Sequence, residues 1–249
     1  MRRLFFQIRM VIAALAVTVA LVACGGGNSA PPTATTEPLT ATQILSSASK
    51  RMAETTSLRF KLDISGKTYV DTAGTIQLLE ASGELERPNK VRSQFKVRVA
   101  GTATLTMQII TIGDQTWSTN LITGKWEQAP QEFSYNPSIL FDKQGGVGPV
   151  MDKVTNAQRL DDEKLGGAEA YHVRADVTSE VIGPLTAETL TGSPVVVDLW
   201  IDQDNFDLLR ARLTGVAPKG ETEPVVWTLD LSGHDQPMHI SAPVATPTP

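Results

Sequence analysis

The chain has 249 residues, 41% of them hydrophobic, with 22 basic and 27 acidic side chains and a formal net charge of −5 at pH 7. A chain of this length can bury one large core, and its acidic balance argues against the basic surface that nucleic-acid binding requires. Its single cysteine excludes a disulfide bond within the chain.

The N-terminus carries the pattern of a secretory signal. Arg2, Arg3 and Arg9 flank or precede an apolar run that extends from Met10 to Val22. This run is shorter than the roughly 20 residues that a permanent transmembrane helix needs, and its basic flank is typical of an export signal. We therefore predict that residues 1–23 are a signal peptide.

The cysteine at the end of this signal points to lipidation. Cys24 closes the order Leu-Val-Ala-Cys, which matches the bacterial lipobox, where the thiol accepts a lipid before cleavage. Loss of residues 1–23 would leave 19 basic against 27 acidic side chains, a net charge of −8. Attachment would then depend on acyl chains and not on attraction to anionic lipid heads. We predict a lipid-anchored protein on the extracytoplasmic face of the cell membrane.

The composition divides the rest of the chain into a tether, a domain and a tail. Residues 24–39 are small, polar and rich in proline, which predicts an unfolded tether behind the acylated cysteine. Residues 243–249 have a similar composition and predict a disordered tail. Because neither an internal repeat nor a second such linker interrupts residues 40–242, we predict one folded domain there.

The domain is predicted to begin with a helix and to continue as strands. Thr40 and Gln43 form the Thr-x-x-Gln pattern of a capping box ahead of an apolar helical face. Apolar and polar residues then alternate in several segments, which predicts antiparallel strands with one wet face. These segments are 57–66, 91–99 and 105–109, and three further strands are predicted at 195–202, 208–215 and 225–233.

Short helical segments are predicted between the two groups of strands. They cover residues 136–141, 147–153 and 179–190, although Gly183-Pro184 interrupts the last one. The predicted fold class is therefore α+β, with a curled antiparallel sheet, an incomplete barrel, covered by helices. Such a sheet encloses either a packed core or a cavity, and the periodicity is compatible with both.

Four segments carry a resemblance to a known family. They are ATQILSSASKRMAETTSLRFKLDISGK from Ala41, GDQTWSTNLITGKWEQAP from Gly113, NPSILFDKQGGVGPVMDKV from Asn136 and SPVVVDLWIDQDNFDLLRARLTG from Ser193. In order and spacing this series resembles the LppX/LprAFG family of bacterial envelope lipoproteins, whose fold is similar to that of the carriers LolA and LolB. The resemblance implies an apolar cavity that binds acylated lipids or glycolipids for transport, with a lipid exporter as a candidate partner.

If the resemblance holds, apolar side chains of the strands form the cavity wall and helical residues form a lid. The predicted wall residues are Phe60, Leu62, Ile64, Phe95, Val97, Leu105, Met107 and Ile109. The predicted lid residues are Ile139, Leu140, Phe141, Val150 and Met151. The alternative is that these side chains are an ordinary core, because apolar periodicity indicates burial and not a ligand.

Other motifs do not indicate catalysis, a metal or a cofactor. The acidic segment Asp202–Asp207 lacks the glycine and the closing glutamate of a calcium loop and is better interpreted as a hairpin turn. The three histidines, His172, His234 and His239, have no ligand spacing. We therefore predict a lipid carrier. An interaction or sensor module of the same fold without lipid cargo is the alternative, and an enzyme is the least supported class.

Overall fold

A computed structural model describes residues 37–71, 73–129, 139–140, 142, 144–186, 188–190, 194–216 and 222–244. Leu39–Pro249 forms one compact unit. Within the described ranges, no helix has both the length and the apolar character needed to cross a membrane. The predicted signal peptide, Cys24 and nearly all of the predicted tether lie outside the described residues.

The domain begins with helix α1, Ala41–Glu54. The Thr40 hydroxyl accepts a hydrogen bond from the Gln43 backbone N–H at 3.3 Å, and Gln43 Oε1 accepts one from the Thr40 N–H at 2.9 Å. This reciprocal pair confirms the predicted capping box. The helix buries one apolar face, formed by Ala41, Ile44, Leu45, Ala48 and Met52.

A single sheet dominates the described part of the chain, and it has 12 strands. The strands are β1 Ser57–Ser65, β2 Ile76–Glu86, β3 Lys90–Val99, β4 Ala103–Ile112, β5 Gln115–Thr119, β6 Trp126–Gln128, β7 Thr155–Arg159, β8 Glu163–Leu165, β9 Ala168–Val177, β10 Val195–Asp202, β11 Leu208–Thr214 and β12 Val226–Ser232. The six predicted strands are all present, and the other six were not predicted.

All strand pairs are antiparallel, in the order β6-β5-β4-β3-β2-β1-β12-β11-β10-β9-β7, with β8 attached to β9. The first and last strands of the chain are therefore neighbours, with Phe60 opposite Leu231 and Ser65 opposite Val226. Because β6 and β7 form opposite edges and do not pair with each other, the sheet stays open. The predicted fold class, a curled and incompletely closed antiparallel sheet, is confirmed.

The helices between the strand groups are shorter than predicted. Helix α2 covers Val147–Met151, and helix α3 covers Ser179–Ile182 and continues as a 3-10 turn at Gly183–Thr186. The α3 segment changes from an α-helix to a 3-10 turn at Gly183-Pro184, because proline has no backbone N–H to donate to the helix. Of the predicted helix at residues 136–141, Ile139 and Leu140 form a 3-10 turn and the others lie outside the described residues.

The main core lies between the inner face of the sheet and helices α1 and α2. Fully buried side chains include Ile44 of α1, Leu85 of β2, Val173 of β9 and Ile201 of β10. The opposite, outer face of the sheet is mostly charged. Its cross-strand ion pairs include Lys96–Glu80 and Arg92–Glu84. The sheet therefore has one dry face and one wet face, as the alternation predicts.

Candidate functional site

A cavity of about 590 Å³ opens between the inner face of the sheet and the short helices. This volume lies within the range of small-molecule sites, about 300–1,000 Å³. Strands β1 to β4 and β10 to β12 contribute to the wall, together with α2 and the α3 region. The described lining residues are Phe60, Leu62, Val70, Asp71, Ile76, Leu78, Ala81, Phe95, Val97, Met107, Ile109, Leu121, Leu140, Val147, Val150, Met151, Val154, Ile182, Leu185, Thr186, Thr189, Val197, Leu199, Ala211, Leu213, Trp227 and Leu229.

Strand alternation and register produce the apolar wall. Phe60 and Leu62 project from the inner face of β1, while Lys61 between them is exposed on the outer face. On the neighbouring pair of strands, Phe95 of β3 lies directly opposite Met107 of β4, and both line the cavity. Side chains two residues apart on each strand thus build one continuous surface.

Among the described lining residues, Asp71 is the one with a charged side chain, and its carboxylate is already hydrogen-bonded. It accepts hydrogen bonds from the Thr75 hydroxyl at 2.7 Å and from the Ile76 backbone N–H at 2.6 Å. The bond from the Thr75 side chain, followed by that from the Ile76 N–H, lowers the pKa of Asp71. The carboxylate therefore holds the β1–β2 loop in shape.

The two threonines in the wall also use their hydroxyls within the protein. Thr186 donates to the Ile182 carbonyl at 3.2 Å, and Thr189 donates to the Thr186 carbonyl at 2.5 Å. These bonds stabilise the turn after α3. Since each polar lining residue already has a partner, the wall presents mainly hydrocarbon to whatever occupies it.

Nine of the thirteen predicted wall and lid residues line the cavity. They are Phe60, Leu62, Phe95, Val97, Met107, Ile109, Leu140, Val150 and Met151. Whether these side chains contact a ligand remains a prediction. A tenth predicted residue, Phe141, lies outside the described residues.

Three predicted residues are not part of the lining. Ile64 and Ile139 are half-buried and pack against the main core instead. Leu105 is half-buried near the start of β4, where strand β5 does not reach because it pairs only with Ile109–Ile112. Leu105 therefore lies on a part of β4 that β5 does not pair with, and it is not among the described lining residues.

The part of the wall that comes from the last three strands was not predicted from the sequence. Val197, Leu199, Leu213, Trp227 and Leu229 project from β10, β11 and β12 into the same cavity as β1 to β4. Their alternation was visible in the sequence. Their convergence with β1 depends on the β1–β12 pairing, which no local pattern predicts.

The outer face carries a histidine cluster that does not have the form of a catalytic site. His172 Nδ1 lies 2.8 Å from Glu163 Oε1, and His172 Nε2 lies 3.0 Å from Asp198 Oδ1. The ring also stacks on Trp200, with 4.4 Å between ring centroids. Because carboxylates contact both ring nitrogens and Trp200 covers the ring, this histidine links β9 to β8 and β10.

The acidic segment before β11 is a turn, which confirms the hairpin interpretation. Asp202 Oδ1 accepts hydrogen bonds from the backbone N–H groups of Asp204 and Asn205 at 2.8 and 3.2 Å. Strands β10 and β11 pair on either side of it. Across the described ranges, no group of three or more His, Cys, Asp or Glu side chains is placed to hold a metal ion.

A family model described as LppX_LprAFG lipoprotein matches residues 40–240, which is most of the chain. The chain belongs to the LppX_LprAFG family. This finding confirms the family that the sequence resembles. The match covers every strand and every helix described above. No match was found among curated proteins.

Two solved structures share the fold. LprF of Mycobacterium bovis is 18% identical, with a TM-score of 0.64 over 82% of this chain and 97% of that chain. The lipoprotein LppX of Mycobacterium tuberculosis is 15% identical, with a TM-score of 0.57 over 81% of this chain and 98% of that chain. At these identities the likeness establishes the fold, and the function is inferred from the site.

Proposed function

We propose that this LppX_LprAFG protein binds an acylated lipid or glycolipid in its cavity and carries or presents it within the cell envelope. The observation that carries the proposal is the apolar cavity of about 590 Å³ between the sheet and the helices. An acyl chain in this cavity would gain about 0.8 kcal/mol for each buried methylene. Family membership supports the same function.

The wall chemistry implies that the hydrocarbon part of the ligand provides most of the affinity. Asp71, Thr186 and Thr189 are the polar lining residues in the described part of the chain, and each is already hydrogen-bonded. A polar head group inside the cavity would lose its water without gaining a good partner, which costs free energy. The head group therefore stays at the opening, and affinity rises with chain length.

The N-terminal sequence adds export and membrane attachment to the proposed function. We infer that residues 1–23 direct export and that Cys24 carries the lipid anchor, which holds the domain on the extracytoplasmic face of the membrane. An anchored carrier receives its cargo from, and delivers it to, neighbouring membrane components. A lipid exporter is a candidate partner for that exchange.

The test is the uptake of a fluorescent fatty acid by two variants at adjacent positions. Met107 lines the cavity, whereas Gln108 is exposed on the other face of β4. Met107→Arg introduces a charge into the hydrocarbon wall and should weaken binding by at least about tenfold. Gln108→Arg adds the same charge outside and should bind as the unaltered protein does.

Equal binding by both variants, or no uptake by the unaltered protein, would contradict a carrier function. The second of these results would favour the alternative, an interaction or sensor module of the same fold without lipid cargo. Circular dichroism of both variants provides the control for folding.

A further inference from the structure

The cavity reaches the protein surface beside the loop that joins β1 to β2. Val70 in this loop lines the cavity and is also 48% exposed. Its neighbour Tyr69 is 40% exposed, although its backbone bridges to Gln77 at the start of β2. Two apolar side chains thus project from an anchored loop at the opening.

A further apolar side chain projects from a second loop, the hairpin between β5 and β6. Ile122 is 94% exposed, while the preceding residue, Leu121, lines the cavity. The hairpin is well ordered, because Asn120 Oδ1 accepts hydrogen bonds from the backbone N–H groups of Ile122 and Thr123 at 2.9 and 3.0 Å. This geometry holds the isoleucine in water at the tip, a position that is unfavourable without an apolar partner.

The strand register places a third loop at the same end of the sheet. Ser65, the last residue of β1, pairs with Val226 of β12, which in turn pairs with Thr214, the last residue of β11. Val216, two residues after the end of β11, therefore lies near the start of the β1–β2 loop, and it is 50% exposed. We define Tyr69, Val70, Ile122 and Val216 as the mouth rim.

We propose that the mouth rim inserts into the surface of a lipid bilayer, so that the cavity opens toward the membrane hydrocarbon. The inference rests on the proposed lipid-binding function and adds a docking surface to it. Exposed lysines lie close in sequence to these apolar side chains. Lys67 is in the β1–β2 loop with Val70, and Lys125 is in the β5–β6 hairpin with Ile122. Apolar tips flanked by lysine and tyrosine are suited to the interface between hydrocarbon and head groups.

The chain before the domain permits this contact. The predicted tether, residues 25–39, would have a root-mean-square span of about 20 Å if it behaves as a flexible coil. An anchor at Cys24 would then hold the domain within reach of the membrane that bears the anchor. A bilayer is favoured over a protein partner because the rim consists of separate tips around an opening and not of one flat apolar patch.

The first experiment measures insertion at the rim. A chain from Gly25 with an N-terminal histidine tag is bound to phosphatidylcholine vesicles that contain a nickel-chelating lipid, which replaces the native anchor. An environment-sensitive dye is placed at Ile122→Cys or, as a control, at Asp204→Cys in the exposed β10–β11 hairpin at the opposite end of the sheet. The emission at position 122 should shift to shorter wavelength and be quenched by a doxyl group on the lipid chains, and the emission at 204 should not change. No shift at position 122, or equal shifts at both positions, would overturn the proposal.

The second experiment separates docking from cargo binding. Ile122→Ser should slow the transfer of a fluorescent fatty acid from vesicles to the protein by about tenfold, the lower end of what loss of one buried isoleucine implies. Its affinity for the same fatty acid offered in solution should not change, because Ile122 is outside the cavity wall. Val244→Ser removes a similarly exposed apolar side chain, 90% exposed, that belongs to neither the mouth rim nor the described cavity lining, and it should change neither quantity. An unchanged transfer rate for Ile122→Ser would overturn the docking inference alone, and failure of binding in solution by the unaltered protein would overturn the cargo proposal alone.

Discussion

Gly83 of β2 allows the cavity-wall residue Phe60 to pack closely on the sheet. A Cβ atom at position 83 would come within 2.3 Å of the Arg92 carbonyl oxygen and 2.8 Å of the Phe60 ring. Gly83→Ala should therefore lower the free energy of unfolding by about 1–3 kcal/mol, the usual cost of overpacking. Urea denaturation measures this change. Ser82→Ala, at the exposed neighbouring position, should lie within about 0.5 kcal/mol of the unaltered protein, and equal values for both would contradict the close contact.

His234 lies in a charged cluster that joins α1 to the chain after β12. Its Nδ1 is 3.6 Å from Asp207 Oδ2, while Arg51 Nε is 2.8 Å from Asp207 Oδ1 and Arg51 Nη2 is 2.6 Å from Asp235 Oδ2. Burial lowers the pKa of His234 below its ordinary value of 6.5, and the nearby Asp207 opposes this only in part. The folded protein therefore keeps this imidazole neutral.

A pH dependence follows from the lowered pKa of His234. Below pH 6.5 the unfolded chain binds a proton at this position before the folded chain does, so stability decreases as the pH falls toward the folded-state pKa. His234→Gln should remove this contribution, and its free energy of unfolding should fall less between pH 7.5 and 5.5. Asp235 titrates in a lower window, since the hydrogen bonds of its carboxylate with the Thr56 N–H and Arg51 outweigh burial and lower its pKa below 3.8. Parallel pH curves for the variant and the unaltered protein would contradict a neutral buried His234.

The lipidation site makes a separate prediction. Cys24→Ala removes the only thiol that could accept a lipid, so the protein should leave the membrane fraction or accumulate as an unprocessed precursor. Cell fractionation with mass measurement of the product distinguishes the two forms. A mature-length Cys24→Ala protein that still fractionates with membranes would show that the anchor is elsewhere.

Residues 233–240, which follow β12, form a strap across the outer face of the sheet. Its start is fixed by a hydrogen bond from the Asp235 N–H to the Ser57 carbonyl at 2.9 Å. Further along, Arg92 donates to the His239 carbonyl at 2.9 Å, and Met238 and Ile240 are each 7% exposed. The two apolar side chains cover Ile110, next to the half-buried Ile112, Trp117 and Trp126.

Loss of an apolar side chain from the strap should destabilise the sheet. Ile240→Ser removes a buried side chain and should lower the free energy of unfolding by about 2–4 kcal/mol, as large-to-small core substitutions do. Val244→Ser, four residues further on, is the control, because Val244 is 90% exposed. A thermal melt that gives the same midpoint for both variants would show that the strap does not stabilise the domain.

Clear local patterns predicted several elements correctly. Alternation predicted β1, which covers Ser57–Ser65, and the capping box correctly marked the start of α1. Strand β2 was missed because a register shift between Leu78 and Glu80 breaks its alternation. Strand β7 was missed for a similar reason, since a shift between Thr155 and Gln158 interrupts a segment of mostly polar residues.

The cavity depends on the pairing of the first strand, β1, with the last strand, β12. Residues of β1, such as Phe60, meet residues of β12, such as Leu229, only because β1 pairs with β12 across more than 150 residues of sequence. Alternation identified the inner face of β1, β3 and β4, and most of the residues predicted there line the cavity, although their contact with a ligand stays a prediction. It could not identify the neighbouring strands, and so the wall contributed by β10 to β12 was missed.

The openness of the sheet is also a property of the whole molecule. Strands β6 and β7 are the two ends of the strand order. They do not pair with each other, so the sheet does not close into a filled barrel. Short helices α2 and α3 and the turn after α3 line the cavity inside the sheet with side chains such as Val150 and Leu185. A curled but open sheet can therefore keep a space that a closed, packed core would fill.

Native mass spectrometry of the protein isolated from a bacterial envelope tests most directly whether this space holds lipid. We expect a bound species whose mass and extracted products identify an acylated lipid, and we expect this species to be lost from the Met107→Arg variant. A protein that carries no lipid on isolation and takes up none when lipids are offered would contradict the proposed lipid binding.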